Sequence, residues 1–299
     1  MINVILNKFS PNIIGIILMF GMVICVLVVA SLVKVLGNNI DFRIVIAGRF
    51  FFSLPILYIV GWKIRKTDLF SVNSKTNMTF RVVVGSAGIC FWFLAVRNAD
   101  FGQVTALTQS ATIFVAILAP FLLNEILGLW RFSAIIIGFL GIILITDPFQ
   151  GSVSIGLVYA LLAAITSALL SIILRKLGKS DEPITVAIWH NTIGFIAFSS
   201  LLFFDFPEVK IFNFNSILLL ILLGVFGSLL QLFFTYAFKY GEAMILTPMR
   251  YISVPGAMVI GLAFWGEMPS STQFFGAIIT IGSCLVITWR ELIKDKKNI

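Results

Sequence analysis

Charge is scarce in this sequence. Asp, Glu, Lys and Arg make up 11% of 299 residues, whereas a soluble domain carries roughly a quarter, so water is not the main solvent of the folded chain. Acid is scarcer than base. The 13 carboxylates lie between apolar runs or at their ends, and none falls in the middle of one. That excludes an acidic proton relay inside a membrane. Histidine occurs once, as His190, which rules out a metal centre or a catalytic triad built on histidines. The three cysteines, Cys25, Cys90 and Cys284, all sit in apolar runs without metal-ligand spacing. Neither a disulfide framework nor a cysteine-held metal follows from them, and no cofactor is expected. Two-residue alternation of apolar and polar positions is also missing, which excludes a membrane β-barrel.

What remains is apolar length. Hydrophobic residues fill 60% of positions and mean hydropathy is +1.07. About 20 apolar residues span a bilayer as a helix. The runs 13–33, 44–62, 79–97, 104–123, 130–146, 154–173, 184–204, 216–238, 244–265 and 272–289 therefore predict ten transmembrane helices, whose backbone amides are paired within each segment. The first run is too long for a signal-peptide core and lacks a small-residue cleavage site, so it reads as a retained span.

With the N-terminus inside, fifteen Lys and Arg fall on inner segments and four on outer ones. The inner set includes Lys63, Arg65, Lys66, Lys75 and Arg81; the outer set is Lys34, Arg43, Arg97 and Lys210. This bias predicts an even span count with both termini cytoplasmic. It also accounts for the net charge of +8 without a nucleic-acid partner. The bilayer is the expected partner, alongside a small-molecule substrate.

The chain repeats itself. Leu32-Val33-Lys34-Val35-Leu36-Gly37 echoes Ile173-Leu174-Arg175-Lys176-Leu177-Gly178 at an offset of 141. Ala95, Arg97, Thr105 and Glu125 match Ala237, Lys239, Thr247 and Glu267 at 142. Two units result, 1–150 and 151–299. Each holds five spans, an odd number, so the second enters the membrane upside down. Inverted repeats place a substrate site near mid-depth between the halves. The expected fold is an all-α integral membrane protein with ten transmembrane helices as two inverted five-helix repeats.

Several stretches resemble the drug/metabolite transporter superfamily, in particular its proteins with two EamA-type repeats. They are Ala47-Gly48-Arg49-Phe50-Phe51; Gly241-Glu242-Ala243-Met244-Ile245-Leu246-Thr247-Pro248-Met249-Arg250-Tyr251; and Glu125 and Glu267 at the ends of the fourth span of each half. The first-half stretch Asp100-Phe101-Gly102-Gln103-Val104-Thr105-Ala106-Leu107 fits more loosely, since it lacks a counterpart of Pro248. The resemblance implies a carrier of the bacterial inner membrane with a central cavity lined by spans one, three, four, six, eight and nine. Its substrates across the superfamily include amino acids, nucleosides, riboflavin, S-adenosylmethionine and toxic amphiphiles.

Polar residues within spans are the site candidates. Arg49 and Arg250 either meet an anionic group in the cavity or reach the headgroups. Tyr251 lies beside Arg250, and Pro248 removes an amide donor near the start of its span, while Pro255 is the best-placed kink. Thr105, Thr108, Gln109 and Thr112 fall on one helical face, too polar for lipid. Trp92, Gln231 and Tyr236 extend the candidate wall. His190 either titrates in a coupling role or hydrogen-bonds between helices with Asn191. Glu125 and Glu267 are helix-end or gate candidates.

These features support a secondary carrier of a small polar metabolite working by alternating access. The alternatives are an exporter of amphiphilic drugs or toxic metabolites and a non-transport accessory protein. An enzyme is not expected, because no paired carboxylates or histidine cluster exist to supply chemistry.

Overall fold

The structure is a computed structural model that describes residues 11–37, 40–123, 129–146, 154–178, 180–204, 214–241, 246 and 250–297. Among these residues the chain is helical and contains no strand. The helices are α1 (Pro11–Gly37), α2 (Phe42–Arg65), α3 (Lys75–Asn98), α4 (Phe101–Gln109), α5 (Ala111–Leu123), α6 (Leu129–Thr146), α7 (Ile155–Leu177), α8 (Pro183–Phe204), α9 (Phe214–Tyr240), α10 (Ser253–Trp265) and α11 (Ser271–Lys297). Among the described residues, five segments are long and apolar enough by themselves to cross a membrane: Ile13–Gly37, Phe42–Asp68, Lys75–Asn98, Ile155–Leu174 and Phe214–Tyr240.

The burial pattern is that of a protein dissolved in lipid. Large apolar side chains such as Ile59, Val83 and Phe264 are exposed, whereas Arg49, Arg81, His190, Asn191 and Gln231 are buried. Water would reverse that arrangement. Loop-end polar groups set the helix starts. Asp41 accepts from Arg43 N at 2.8 Å to cap α2, and Ser154 Oγ accepts from Gly156 N at 3.2 Å to cap α7; both satisfy amides that have no partner within the helix.

The fourth span is not one helix. It breaks at Ser110, between α4 and α5, although neither Pro nor Gly occurs there. Three side-chain hydroxyls turn back onto backbone carbonyls around the break. Ser110 Oγ donates to Leu107 O at 2.6 Å, Thr108 Oγ1 to Thr105 O at 2.9 Å and Thr105 Oγ1 to Phe101 O at 2.8 Å. Such back-bonding competes with the helical ladder and bends it. The ninth span changes at the equivalent place, 142 residues on, where a 3₁₀ turn (Arg250–Ile252) leads into α10. Pro255 sits in the first turn of α10, where its missing amide donor is tolerated.

The two halves pack by exchange. α3 lies on α7 and α9 on α1, two contacts that swap when the halves are interchanged. α2 with α8 and α6 with α11 map onto themselves. This is the isologous interface that a two-fold axis requires, here relating two five-span units of one chain. α6 and α11 approach closely enough that a methyl on Gly276 would fall 2.8 Å from Gly141 O and one on Gly141 would fall 2.9 Å from Gly276 O. Only glycine at both places permits that crossing.

Candidate functional site: an arginine-walled cavity

The breaks in spans four and nine meet at the centre of the molecule. Gln109 Nε2 donates to Ser253 Oγ at 2.7 Å, and Tyr251 Oη donates to Thr112 Oγ1 at 2.6 Å. Gln109 and Tyr251 are equivalent residues under the 142-residue offset. Each reaches from just before its own break to just after the other's. The seam is therefore hydrogen-bonded in two-fold fashion where both backbones are irregular, as in discontinuous transporter helices that border a binding site.

Beside this seam lies a cavity of about 170 Å³, walled by residues of α1, α2, α3, α4, α7, α8, α9 and α10 and by Arg250 in the 3₁₀ turn. Much of the wall is apolar, including Trp92, Phe93, Phe101 and Phe234. Among the described residues its charged members are Arg49, Arg81 and Arg250, with no carboxylate. Arg49 and Arg81 are only 3% and 1% exposed. Arg49 stacks its guanidinium 4.9 Å from the Phe50 ring centroid, and His190 meets the same ring edge-on at 5.5 Å. Arg81 runs along α3 into space left open by Gly85, where a methyl group would collide with its Nη1 and lie 3.0 Å from His190 Cε1. Arg250 is better supported, with Nη2 donating to Ser167 Oγ at 3.4 Å and its head 5.7 Å from the Phe234 centroid.

Several polar atoms in this wall lack a hydrogen-bond partner among the described residues. They include Arg49 Nη1, Arg81 Nε and Nη1, and both ring nitrogens of His190. A buried guanidinium without a counter-charge costs several kcal/mol, and the great majority of buried polar side chains are hydrogen-bonded. Concentrated in a cavity, such open donors describe a surface complementary to an anion.

Of the residues singled out in the sequence, Arg49, Trp92, Thr105, Thr108, Gln109, His190, Gln231 and Arg250 line the cavity. Tyr251 and Thr112 do not belong to the wall, because their hydroxyls are turned toward each other across the seam. Tyr236 also lies outside it, stacked on Tyr240 at 6.4 Å. His190 makes no bridge to Asn191, whose Nδ2 donates to its own helix at Ala187 O, 2.8 Å away. Glu125 and Pro248 fall outside the described residues. Spans two and seven, absent from the expected lining, supply Arg49 and His190.

Arg81 is the wall residue that charge patterning misplaces. Patterning assigns it to an inner loop, yet it is among the largest fully buried side chains. The signal for burial is its position inside the apolar run 79–97, followed by Val82-Val83-Val84-Gly85. Thr166, Ser167 and Ser253 also line the cavity without a sequence signal, being small hydroxyls common in any membrane helix.

Glu267 has a definite structural role. Gly266, at φ 66°, ends α10 in the left-handed conformation, a geometry that favours glycine. The turn brings Glu267 back onto the first half, where its Oε1 accepts from Lys34 Nζ and its Oε2 accepts from Phe101 N at 2.7 Å. Lys34 also lies 5.3 Å from the Trp265 centroid. The contact joins the halves at one end of the bundle. At the other end Asp181 accepts from Asn73 N at 2.7 Å and Ser74 N at 3.2 Å, again between halves.

Comparison with known proteins agrees with this architecture. The EamA-like transporter family matches twice, at residues 13–147 and 154–289. An uncharacterized transporter of Helicobacter pylori is 27% identical over 253 residues, covering 83% of this chain and 85% of that one. A riboflavin transporter of Brucella anthropi is 25% identical, with 79% and 82% covered. An S-adenosylmethionine uptake transporter of Rickettsia felis is 28% identical, with 86% of both chains covered. A solved crystal structure superimposes with a TM-score of 0.69 over 94% of this chain and 99% of its own at 12% identity, a likeness of fold. With ten spans in two inverted copies and the family pattern running through both, the chain belongs to the EamA-like transporters of the drug/metabolite transporter superfamily.

Proposed function

We propose that this protein is a carrier, without a catalytic step, that moves a small anionic metabolite across the inner membrane of a bacterium by alternating access. The observation that carries the anionic assignment is the cavity wall: three arginines and, among the described residues, no carboxylate. Relatives named for riboflavin and S-adenosylmethionine support a metabolite of modest size. A net cation would find no counter-charge on this wall, whereas an anion would supply the acceptors that Arg49 and Arg81 lack. The excess of Lys and Arg on alternate connections persists without Arg81, at fourteen to four. That bias supports cytoplasmic termini.

Alternating access needs the two ends to open in turn, and an inverted repeat supplies equivalent closures at both. The contact of Lys34 with Glu267 closes one end. By the repeat offsets, their sequence equivalents are Arg175 and Glu125, and we assign these to closing the opposite end in the alternate state. Rocking then exchanges one cross-half ion pair for the other about the central seam.

Counterflow in liposomes tests the reading. Vesicles holding the purified protein and an unlabelled organic anion should accelerate entry of the labelled anion, and Arg250→Gln should slow that exchange. Trans-accelerated exchange of an organic cation, unchanged by Arg250→Gln, would overturn the anionic assignment.

A further inference from the structure

Resting on the anion-carrier reading, we propose that Arg49, Arg81 and His190 form a subsite for the phosphate group of a phosphate monoester, whose apolar or aromatic body lies against Trp92, Phe93, Phe101 and Phe234. The three polar residues come from three helices, α2, α3 and α8, and converge through two shared neighbours. Arg49 and His190 both contact the Phe50 ring. Arg81 and His190 both border the point that a methyl on Gly85 would occupy. Arg49 and His190 are also equivalent positions of spans two and seven under the 141-residue offset, so they lie across the two-fold relation that joins the halves.

The chemistry of the open atoms sets the ligand class. Arg49 Nη1, Arg81 Nε and Nη1, and the His190 ring nitrogens have no partner among the described residues. A guanidinium only donates, and a neutral imidazole donates through one nitrogen. The ligand group must therefore be rich in acceptors, must bring more than one negative charge to two guanidinium groups, and must reach side chains arriving from three directions. A carboxylate offers one charge and two coplanar oxygens. A phosphate monoester carries about −1.5 to −2 charge near pH 7 with three diverging acceptor oxygens, and it accepts bidentate arginine contacts. The aromatic lining of the rest of the cavity suits a flat or apolar remainder.

Binding to the full-length purified protein tests this, with phenyl phosphate and benzoate as probes that share one ring and differ in the anionic group. Phenyl phosphate should bind at least about tenfold more tightly than benzoate. Arg81→Gln should weaken it by at least about tenfold, as expected when a buried charge contact loses one partner. Arg81→Lys should fail to restore it, because the planar fork is lost. Gly85→Ala should give a similar loss with every charge kept, by displacing the Arg81 head, while the thermal unfolding of the variant confirms its fold. Equal affinity for benzoate, with the same dependence on Arg81, would overturn the phosphate assignment and leave the anion carrier standing. Phenyl phosphate binding unaffected by both Arg81→Gln and Gly85→Ala would overturn the subsite. Failure of both anions to bind, together with exchange of cations, would remove the subsite and the underlying reading together.

Discussion

The two five-span copies agree at the seam where they meet and differ along the wall of the cavity beside it. At the seam, Gln109 of the first copy and Tyr251 of the second occupy one position, and each donates a cross-copy hydrogen bond just past the other's break, to acceptors one residue apart in register. In the cavity the correspondence fails. Arg49 of the first copy is matched by His190 of the second, Arg81 by Leu223, and Arg250 by Thr108. A moving part built from two equivalent halves can present equivalent closures at both ends. A single ligand bound across the two-fold axis has no such symmetry, so the residues that hold it are free to differ. On the proposed function, the common scaffold would serve motion and the unequal wall recognition.

The largest effect should come from the most unequal position. Arg81→Gln is expected to lower anion counterflow in liposomes by about 100-fold, in line with ~2–5 kcal/mol for losing one partner of a buried charge contact. The equivalent Leu223→Gln should leave the same rate within a few-fold. Comparable losses in both would break the distinction between wall and scaffold. Without ligand, Arg81→Met should stabilise the protein by about 1–4 kcal/mol, because an uncompensated buried charge is replaced by an apolar side chain. Chemical unfolding in detergent measures this, and a destabilised variant would show that contacts within the fold offset the burial of Arg81.

Next in size is the end closure. Glu267→Gln should slow exchange about tenfold, since it loses the charge that engages Lys34, and Lys34→Glu with Glu267→Lys should recover part of the rate. Glu125→Gln should produce a similar loss while exposing cysteines introduced at the opposite end to thiol reagents. An effect confined to Glu267 would show that the ends are not equivalent. The smallest effect belongs to the seam. Tyr251→Phe and Gln109→Ala should each cost about 0.6 kcal/mol of stability, the average for hydrogen bonds between membrane helices. Equal values in a double-mutant cycle would sharpen the case for two-fold balance.

Much of this was legible in the sequence, and for identifiable reasons. Apolar length marks the spans, because hydrophobic matching to a bilayer is a one-dimensional constraint. The echo of Leu32–Gly37 in Ile173–Gly178, with Lys34 answered by Arg175, marks the repeat. Arg49 and Arg250 stand out because charge inside an apolar run is costly. Arg81 is hidden by lying only a few residues from the loop charge Lys75; its burial depends on the direction its side chain takes along α3 and on the missing side chain of Gly85. The break at Ser110 is also unreadable, since no proline or glycine marks it. In the ninth span Pro255 does mark the change. Thr112 reads as a cavity residue from helical periodicity and Tyr251 from its place beside Arg250, yet their hydroxyls meet each other across the seam.

The seam has a consequence for how the protein is made. Synthesis delivers Gln109 and Thr112 to the bilayer well before Tyr251 and Ser253 exist to meet them. Until the later residues emerge, the first half holds polar groups in hydrocarbon with their final partners still untranslated. Its fourth span can complete its native contacts only when the second half inserts.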